Sequence, residues 1–311
     1  MNANGLTRLE LRHLTALALV AEHASFSRAA EELGYTQSAV SQQIAALERA
    51  LGERLVERPG GPVPVRLTDA GVLVARHAEA ITDRLRALRV DLEAFASGAA
   101  TRLRIGSYPS VAAHVIPRIL RSFLDAWPAV QVELTESGDD EAVLREIARG
   151  ELDLGFVTLP AGPGPLTEIG LLDDPYLFVT AADSPLADRS VPLPLRALAD
   201  LALIGYPPSS CQRRLEGALR SAGVEPRIVF RSSDNATVQA LVRAGVGHAV
   251  VPELTIDARD EGVVVRSLEP AMPPRRVGLV VHADRYQSPA LRAFIEATLE
   301  HCGQAAAAVP A

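Results

Sequence analysis

The stretch Ser25-Phe26-Ser27-Arg28-Ala29-Ala30-Glu31-Glu32-Leu33-Gly34-Tyr35-Thr36-Gln37-Ser38-Ala39-Val40-Ser41-Gln42-Gln43-Ile44 decides how the N-terminal part of the chain folds. Phe26, Ala30 and Leu33 recur at helical spacing on one face, and Ser25 or Ser27 can cap the start of that helix. Gly34 lets the backbone turn sharply through the left-handed region, and Thr36 can cap a second helix. This second helix is expected from about Gln37 to Arg49, with Val40, Ile44, Leu47 and Leu51 as its inward stripe. Its outer face, Gln37, Ser38, Ser41, Gln42 and Ala45, carries no acidic group. A solvated helix face normally shows mixed charge pairs, whereas short hydroxyls, amides and methyls suit base edges and phosphate oxygens in a major groove. With an upstream helix marked by Leu14, Leu17, Ala18 and Ala21, the segment reads as a helix-turn-helix.

Working outward, Pro59-Gly60-Gly61-Pro62-Val63-Pro64 lies between two short extended arms and reads as a hairpin wing. Arg58 and Arg66 flank it, placed either to reach phosphates and the minor groove or to stand in solvent. The candidate DNA-contacting set is Ser27, Arg28, Thr36, Gln37, Ser38, Ser41, Gln42, Arg54 and Arg58. Thr68 then caps a long helix expected to run to about Ser97. Along it Val74, Ala78, Ile81, Leu85, Leu88, Leu92 and Phe95 alternate in steps of 4 and 3, an a/d seam. The stripe could pack on the chain's own body. Its narrowness and the charges around it favour a partner helix, with Val74, Ala78, Ile81, Leu85, Leu88 and Leu92 as dimerisation residues.

In order, Ser25-Phe26-Ser27-Arg28-Ala29-Ala30, Gln37 through Ile44, Leu47-Glu48, Leu51-Gly52, Leu55-Val56-Glu57-Arg58 and Leu67-Thr68-Asp69-Ala70-Gly71 resemble the signature of the LysR-type transcriptional regulators. The chain departs from that pattern at Gln42, where the family often has Arg, and at Val56, where it often has Phe. The resemblance implies a winged helix-turn-helix, a linker helix that dimerises, and a two-lobed α/β effector domain similar to type 2 periplasmic solute-binding proteins. It also implies a tetramer built from two dimers.

The remainder fits that expectation from its own pattern. Arg102–Ser107, Val130–Leu134 and Leu152–Val157 read as strands separated by a helical stretch through Leu120, Phe123 and Leu124 and a helix over 139–149. After Pro175 the alternation repeats with strands at Tyr176–Thr180, Ala202–Tyr206, Arg227–Phe230 and His248–Pro252 and helices at about 209–222 and 234–244. A strand at Arg276–Val281 and a helix at Pro289–Glu300 return late. Such alternation predicts parallel sheets in two lobes, crossing near Asp174 and Leu268. The expected organisation is 1–67 DNA-binding, 68–98 linker helix and 99–301 effector domain, with 302–311 a disordered tail. Within the effector domain, lobe 1 is about 101–173 and 270–301, and lobe 2 about 175–267. Ligands of such folds sit at strand ends beside helix starts, so the candidate effector residues are Ser107, Tyr108, Ser110, Thr158, Tyr206, Ser209 and Asn235. Each is equally able to serve as a simple helix cap. Free N–H groups there would favour a carboxylate or other anion.

Composition restricts the alternatives. All 31 basic residues are arginine, which excludes every mechanism built on a lysine. The net charge of −7 lies mainly beyond residue 100, where 20 arginines face 26 acidic residues; residues 1–66 carry seven of each. A neutral DNA-binding unit gains affinity by doubling its phosphate contacts in a dimer. His13, His23, His77, His114, His248, His282 and His301 show no metal-ligand spacing, and neither Gly-x-Ser-x-Gly nor a phosphate-binding glycine loop is present. No cofactor, metal or catalytic role is expected. The two cysteines, Cys211 and Cys302, read as ordinary thiols, with a redox disulfide as the alternative. The chain shows no basic-then-apolar leader and no long apolar run, so a cytoplasmic protein without membrane contact is expected. A ligand carrier fits the lobes but not the helix-turn-helix; an architectural DNA protein leaves the acidic second part without a role. The expected partners are double-stranded operator DNA with paired half-sites, a second copy, and RNA polymerase.

Overall fold

The computed structural model describes residues 9–57, 64–96, 102–188, 193–268 and 272–307. The chain divides into two compact units, Met1–Val90 and Asp91–Ala311.

In the first unit, α1 (Leu11–His23), α2 (Phe26–Leu33) and α3 (Gln37–Leu51) enclose Leu17, Val20, Ala29, Val40, Ile44 and Leu47. The Ser25 side chain accepts from the Arg28 N–H, and Gly34 takes φ 68°, the left-handed turn that its missing Cβ permits. Thr36 Oγ1 accepts the Ala39 N–H at 3.2 Å, so α3 starts where its cap requires. Strands β1 (Val56–Glu57) and β2 (Arg66–Leu67) pair antiparallel as the base of the wing; Arg58 and the loop 58–63 lie outside the described residues. Helix α4 (Asp69–Ala96) is capped by Thr68, whose Oγ1 accepts the Gly71 N–H at 3.0 Å.

The seam of α4 needs a correction. Ala78 is fully buried in the first unit's own core and Val74 packs against that core. Only the later part of the stripe, Ile81, Leu85, Leu88 and Leu92, is exposed. The heptad spacing is the same along both parts, and the unit's three-helix core claims the first of them. The side chain of Phe95 lies outside the described residues.

In the second unit, one sheet orders β4 (Gln131–Glu136), β3 (Arg102–Ser107), β5 (Leu154–Thr158), β12 (Arg275–His282) and β6 (Leu166–Asp174). The other orders β11 (Val263–Ser267), β7 (Tyr176–Ala181), β10 (His248–Pro252), β8 (Ala202–Gly205) and β9 (Arg227–Arg231). Both are mixed rather than parallel: β12 runs antiparallel to β5 and β6, and β7 antiparallel to β10 and β11. These are the strands that carry the chain across between the lobes. Strands β6 and β11 were absent from the sequence reading because neither alternates cleanly in burial.

Helices α5 (Pro109–His114) and α6 (Ile116–Ala126) follow β3, α7 (Asp140–Arg149) follows β4, and α8 (Ser210–Ser221) and α9 (Asn235–Arg243) flank β9. The last helix, α10 (Pro289–Ala307), continues through residues expected to be a disordered tail. Its Cys302 is buried in the first lobe's core, which extends helical order past Glu300; residues 308–311 lie outside the described set. No helix among the described residues is long and apolar enough to cross a membrane.

Gly71 of α4 lies directly against the chain entering the wing: a Cβ there would stand 1.9 Å from the Leu55 carbonyl oxygen. Gly71→Ala should therefore destabilise the first unit by about 1–3 kcal/mol, the usual cost of overpacking. A thermal midpoint equal to wild type would show that α4 can shift freely.

Candidate functional site

Two surfaces hold the residues singled out above. In the first unit, Ser27 and Arg28 stand exposed on α2, and Gln37, Ser38 and Gln42 stand exposed on α3, with Ser41 half-buried between them. Thr36 is engaged as the α3 cap and its Oγ1 lies 3.0 Å from Ser38 Oγ. Arg54 is exposed while its carbonyl accepts from Thr68 Oγ1 at 2.6 Å, which ties the approach to the wing to the start of α4. Glu48 turns inward, accepting the Leu55 N–H at 2.9 Å and the Val56 N–H at 3.3 Å, so the one acid of α3 is spent on the fold. Sequence reading passed over Tyr35, half exposed in the turn before α3.

In the second unit the centre of the lobe junction is a buried ion pair. Arg275 and Asp174 face each other in the β6–β12 register, at the strand ends where the chain crosses between lobes. The Arg275 guanidinium binds Asp174 Oδ2 through both Nε, at 3.1 Å, and Nη2. Nη2 also donates to Ser110 Oγ at 3.1 Å, and the group lies 4.7 Å over the Tyr108 ring. Asp174 Oδ1 accepts the Leu254 N–H of the second lobe at 3.1 Å. Nη1 reaches Cys211 Sγ at 3.9 Å, and that sulfur lies 3.8 Å from the Tyr176 hydroxyl. Burial, the largest influence, raises the phenols of Tyr108 and Tyr176 above their ordinary range.

Among the described residues, two grooves around this pair have no lining residue in common. The larger, about 1130 Å³, is lined by Pro109, His114 and Glu136 of the first lobe and by Asn235, Gln239 and Arg259, among others, of the second. The smaller, about 320 Å³, lies between α7 and α8 and includes Asp140, Thr158, Ser210 and Arg214.

The candidate effector residues thus scatter. Asn235 lines the large groove, and its Oδ1 accepts the Tyr206 hydroxyl, a phenol that burial pushes up to about 12. Thr158 lines the small groove. Ser107, Tyr108 and Ser110 are buried, with Ser107 Oγ donating to the Tyr108 carbonyl. Ser209 caps α8 through the Gln212 N–H, and Asp234 caps α9 through the Ala236 and Thr237 N–H groups. The helix-start donors on which the anion expectation rested are therefore largely engaged by the chain itself. Arg275, Asp140, Arg213 and Arg214 were missed, and no local pattern marks them: Asp140 reads in sequence as an ordinary acid complementing a helix start.

His248 is held within the second lobe. His248 Nδ1 lies 2.9 Å from Thr180 Oγ1, its ring stacks on Phe178, and burial lowers its pKa. Among the described residues no group of three His, Cys, Asp or Glu side chains could hold a metal ion.

With this geometry in view, two family models match the chain: one described as LysR substrate binding domain over residues 96–303, and one described as bacterial regulatory helix-turn-helix protein, lysR family, over residues 11–72. A protein of Mycobacterium avium described as a probable hydrogen peroxide-inducible genes activator is 32% identical over 273 residues, covering 86% of each chain. A transcriptional regulator of Shigella flexneri, YfeR, is 30% identical over 286 residues, covering 91% of each. Among solved structures, an OxyR mutant of Corynebacterium glutamicum is similar with TM-score 0.59 and 28% identity, covering 96% of this chain and 93% of that one. Full-length BenM is similar with TM-score 0.59 and 25% identity, covering 96% and 98%.

Asp140 provides a pH test of the cleft. Its carboxyl is held above the ordinary range by burial first of all, against the lowering effect of the Thr158 N–H, Ser210 and Arg214. A carboxyl whose folded pKa exceeds its unfolded one contributes stability below the unfolded value and loses that contribution as pH rises through the folded value. Asp140→Asn should therefore gain on wild type in denaturant unfolding as pH is raised from about 4 to 7, the range above the unperturbed value. A pH-independent difference between the two proteins would refute it.

Proposed function

Because the chain belongs to the LysR family of helix-turn-helix transcriptional regulators, we propose that it binds paired operator half-sites through α2 and α3 and responds to a small molecule held between the lobes of its second unit. The observation that carries the reading is the acid-free outer face of α3, Gln37, Ser38, Ser41 and Gln42, presented by a capped helix-turn-helix. Ser27, Arg28 and Arg54 stand ready for phosphates on the same unit, and Arg58 completes the set from sequence. The organisation is a DNA-binding region over 1–67, a linker helix over 68–98 and an effector domain over 99–301.

Two copies associate through the exposed stripe Ile81, Leu85, Leu88 and Leu92, as a dimer or a pair of dimers. Effector occupancy shifts the angle between lobes and so re-spaces two DNA-binding units, with RNA polymerase as the downstream partner. The protein acts in the cytoplasm, carries out no catalytic step and needs no cofactor. The effector seat is the α5–α9 groove. There Arg243 and Arg259 stand among Glu136, Asp234, Asp257, Asp260 and Glu261, which suits a polar molecule with both donors and acceptors better than a simple carboxylate.

A second reading of the signal comes from relatives named for peroxide-inducible genes. The half-buried Cys211 thiol, in the first turn of α8 beside Arg275 and Tyr176, is the group that could take one oxygen from hydrogen peroxide, releasing water. Cys302 lies in the first lobe's core, away from that surface.

Footprinting the purified protein on the DNA upstream of its own gene, at two salt concentrations and with or without peroxide, tests the proposal. A salt-sensitive pattern of paired half-sites is expected; no protection at low salt would overturn it. Ser41→Glu should weaken operator binding roughly tenfold or more, on the scale of about 1–3 kcal/mol for a lost base contact, while leaving the fold intact. Normal affinity in that variant would move the DNA surface elsewhere. Leu85→Arg should elute as a monomer on sizing, and an unchanged oligomer would place the interface off α4.

A further inference from the structure

The lobes meet differently on the two faces of their sheets: on one, the start of α8 bonds directly to the first lobe, and on the other, Leu254 packs on the first lobe's core beside an open groove. In the first lobe, Leu154 and Phe156 of β5 belong to the core under α5, α6 and α10, while Val157 belongs to the core under α7. In the second, Phe178 and Val250 pack with α8, while Val179, Ala249 and Val251 pack with α9. Successive strand residues point to opposite faces, so the α5–α9 groove and the α7–α8 groove open on opposite faces, with Arg275 and Asp174 between them.

On the α7–α8 face the first turn of α8 grips the first lobe at several points. The Asp140 N–H donates to Ser210 Oγ at 3.3 Å, and Arg213 pairs with Glu141 at 3.1 Å. Arg214 donates to three successive carbonyls at the end of β5: Thr158 and Leu159 at 3.4 Å, and Pro160 at 3.0 Å. The Arg213–Glu141 pair is more than half exposed on both sides and holds little, since water screens it. Ser210 is buried, and Arg214, although exposed, holds more than Arg213 because its guanidinium reaches three main-chain carbonyls at once.

We propose that the first turn of α8 is a clasp that sets the resting angle between the lobes, and that an effector closing the α5–α9 groove works against this clasp across the Arg275–Asp174 pivot. The proposal rests on reading that groove as the effector seat. Drawing α5 and α9 together on one face rotates the lobes about the buried pair and pulls α8 from the end of β5 on the other. A ligand shifts such an equilibrium only by its difference in affinity for the two states. A clasp of a few hydrogen bonds therefore fixes how much binding free energy the signal requires.

The test uses full-length protein without any effector. Arg214→Gln should speed amide hydrogen exchange in α8's first turn and around Thr158–Pro160 by about tenfold, as expected for the loss of a few modest hydrogen bonds. It should also change the spacing of the operator footprint while leaving the thermal midpoint near wild type. Arg214→Lys should restore part of both effects, and Arg213→Gln should produce neither. Unchanged exchange in Arg214→Gln would show that no clasp exists; faster exchange with a wild-type footprint would show a static contact uncoupled from DNA. Should the variant fold poorly, Ser210→Ala offers the same comparison at a second contact. Because no ligand enters this test, failure of the groove reading appears separately: the clasp variants behave as stated while substitutions at Asn235 or Gln239 leave the response to effector unchanged.

Discussion

The buried pair of Arg275 and Asp174 is the constraint around which the second unit is arranged. Two charges removed from water are costly unless every donor and acceptor is matched. Here Ser110 Oγ takes one guanidinium hydrogen, the Leu254 N–H satisfies the second carboxylate oxygen, and the Tyr108 ring lies against the cation. Tyr108 and Ser110 come from the start of α5 and Leu254 from the second lobe, so the ion pair dictates where α5 and the turn before residue 255 can sit. Breaking either side would leave an uncompensated charge at the junction of the lobes. That gives the crossing point a defined geometry, which a hinge between two sheets otherwise lacks.

The first unit depends on short-range devices instead. Ser25, Thr36 and Thr68 each cap the helix that begins beside them, and Glu48 closes the path from α3 into the wing. These contacts span at most eight residues, and they leave the outer face of α3 free of obligations to the core. A surface that contacts DNA can then vary in its base-reading residues without disturbing what holds the helices together.

The two units therefore differ in how they join stability to function. In the first, the face proposed to contact DNA and the face that packs are separate sides of the same helix. In the second, the cleft is built from groups that also hold the fold: Ser110 accepts from Arg275, the Thr158 N–H donates to Asp140, and the Tyr206 hydroxyl donates to Asn235. Any ligand entering there competes with the chain's own hydrogen bonds, which is why a change of occupancy can become a change of shape.

From sequence alone the helix-turn-helix, its caps, the long helix and the two-lobed alternation of strand and helix were legible, because periodicity, caps and turn residues act over a few positions. The seam of α4 was legible only as a stripe: spacing cannot tell Ala78, which the core takes, from Leu85, which it leaves exposed. Tertiary structure alone decided the antiparallel return strands and the contents of the cleft. Arg275 lies 101 residues from Asp174 and 165 from Ser110 along the chain. A pairing at that separation leaves no local signature, since its energy arises only when folding removes water from both charges at once.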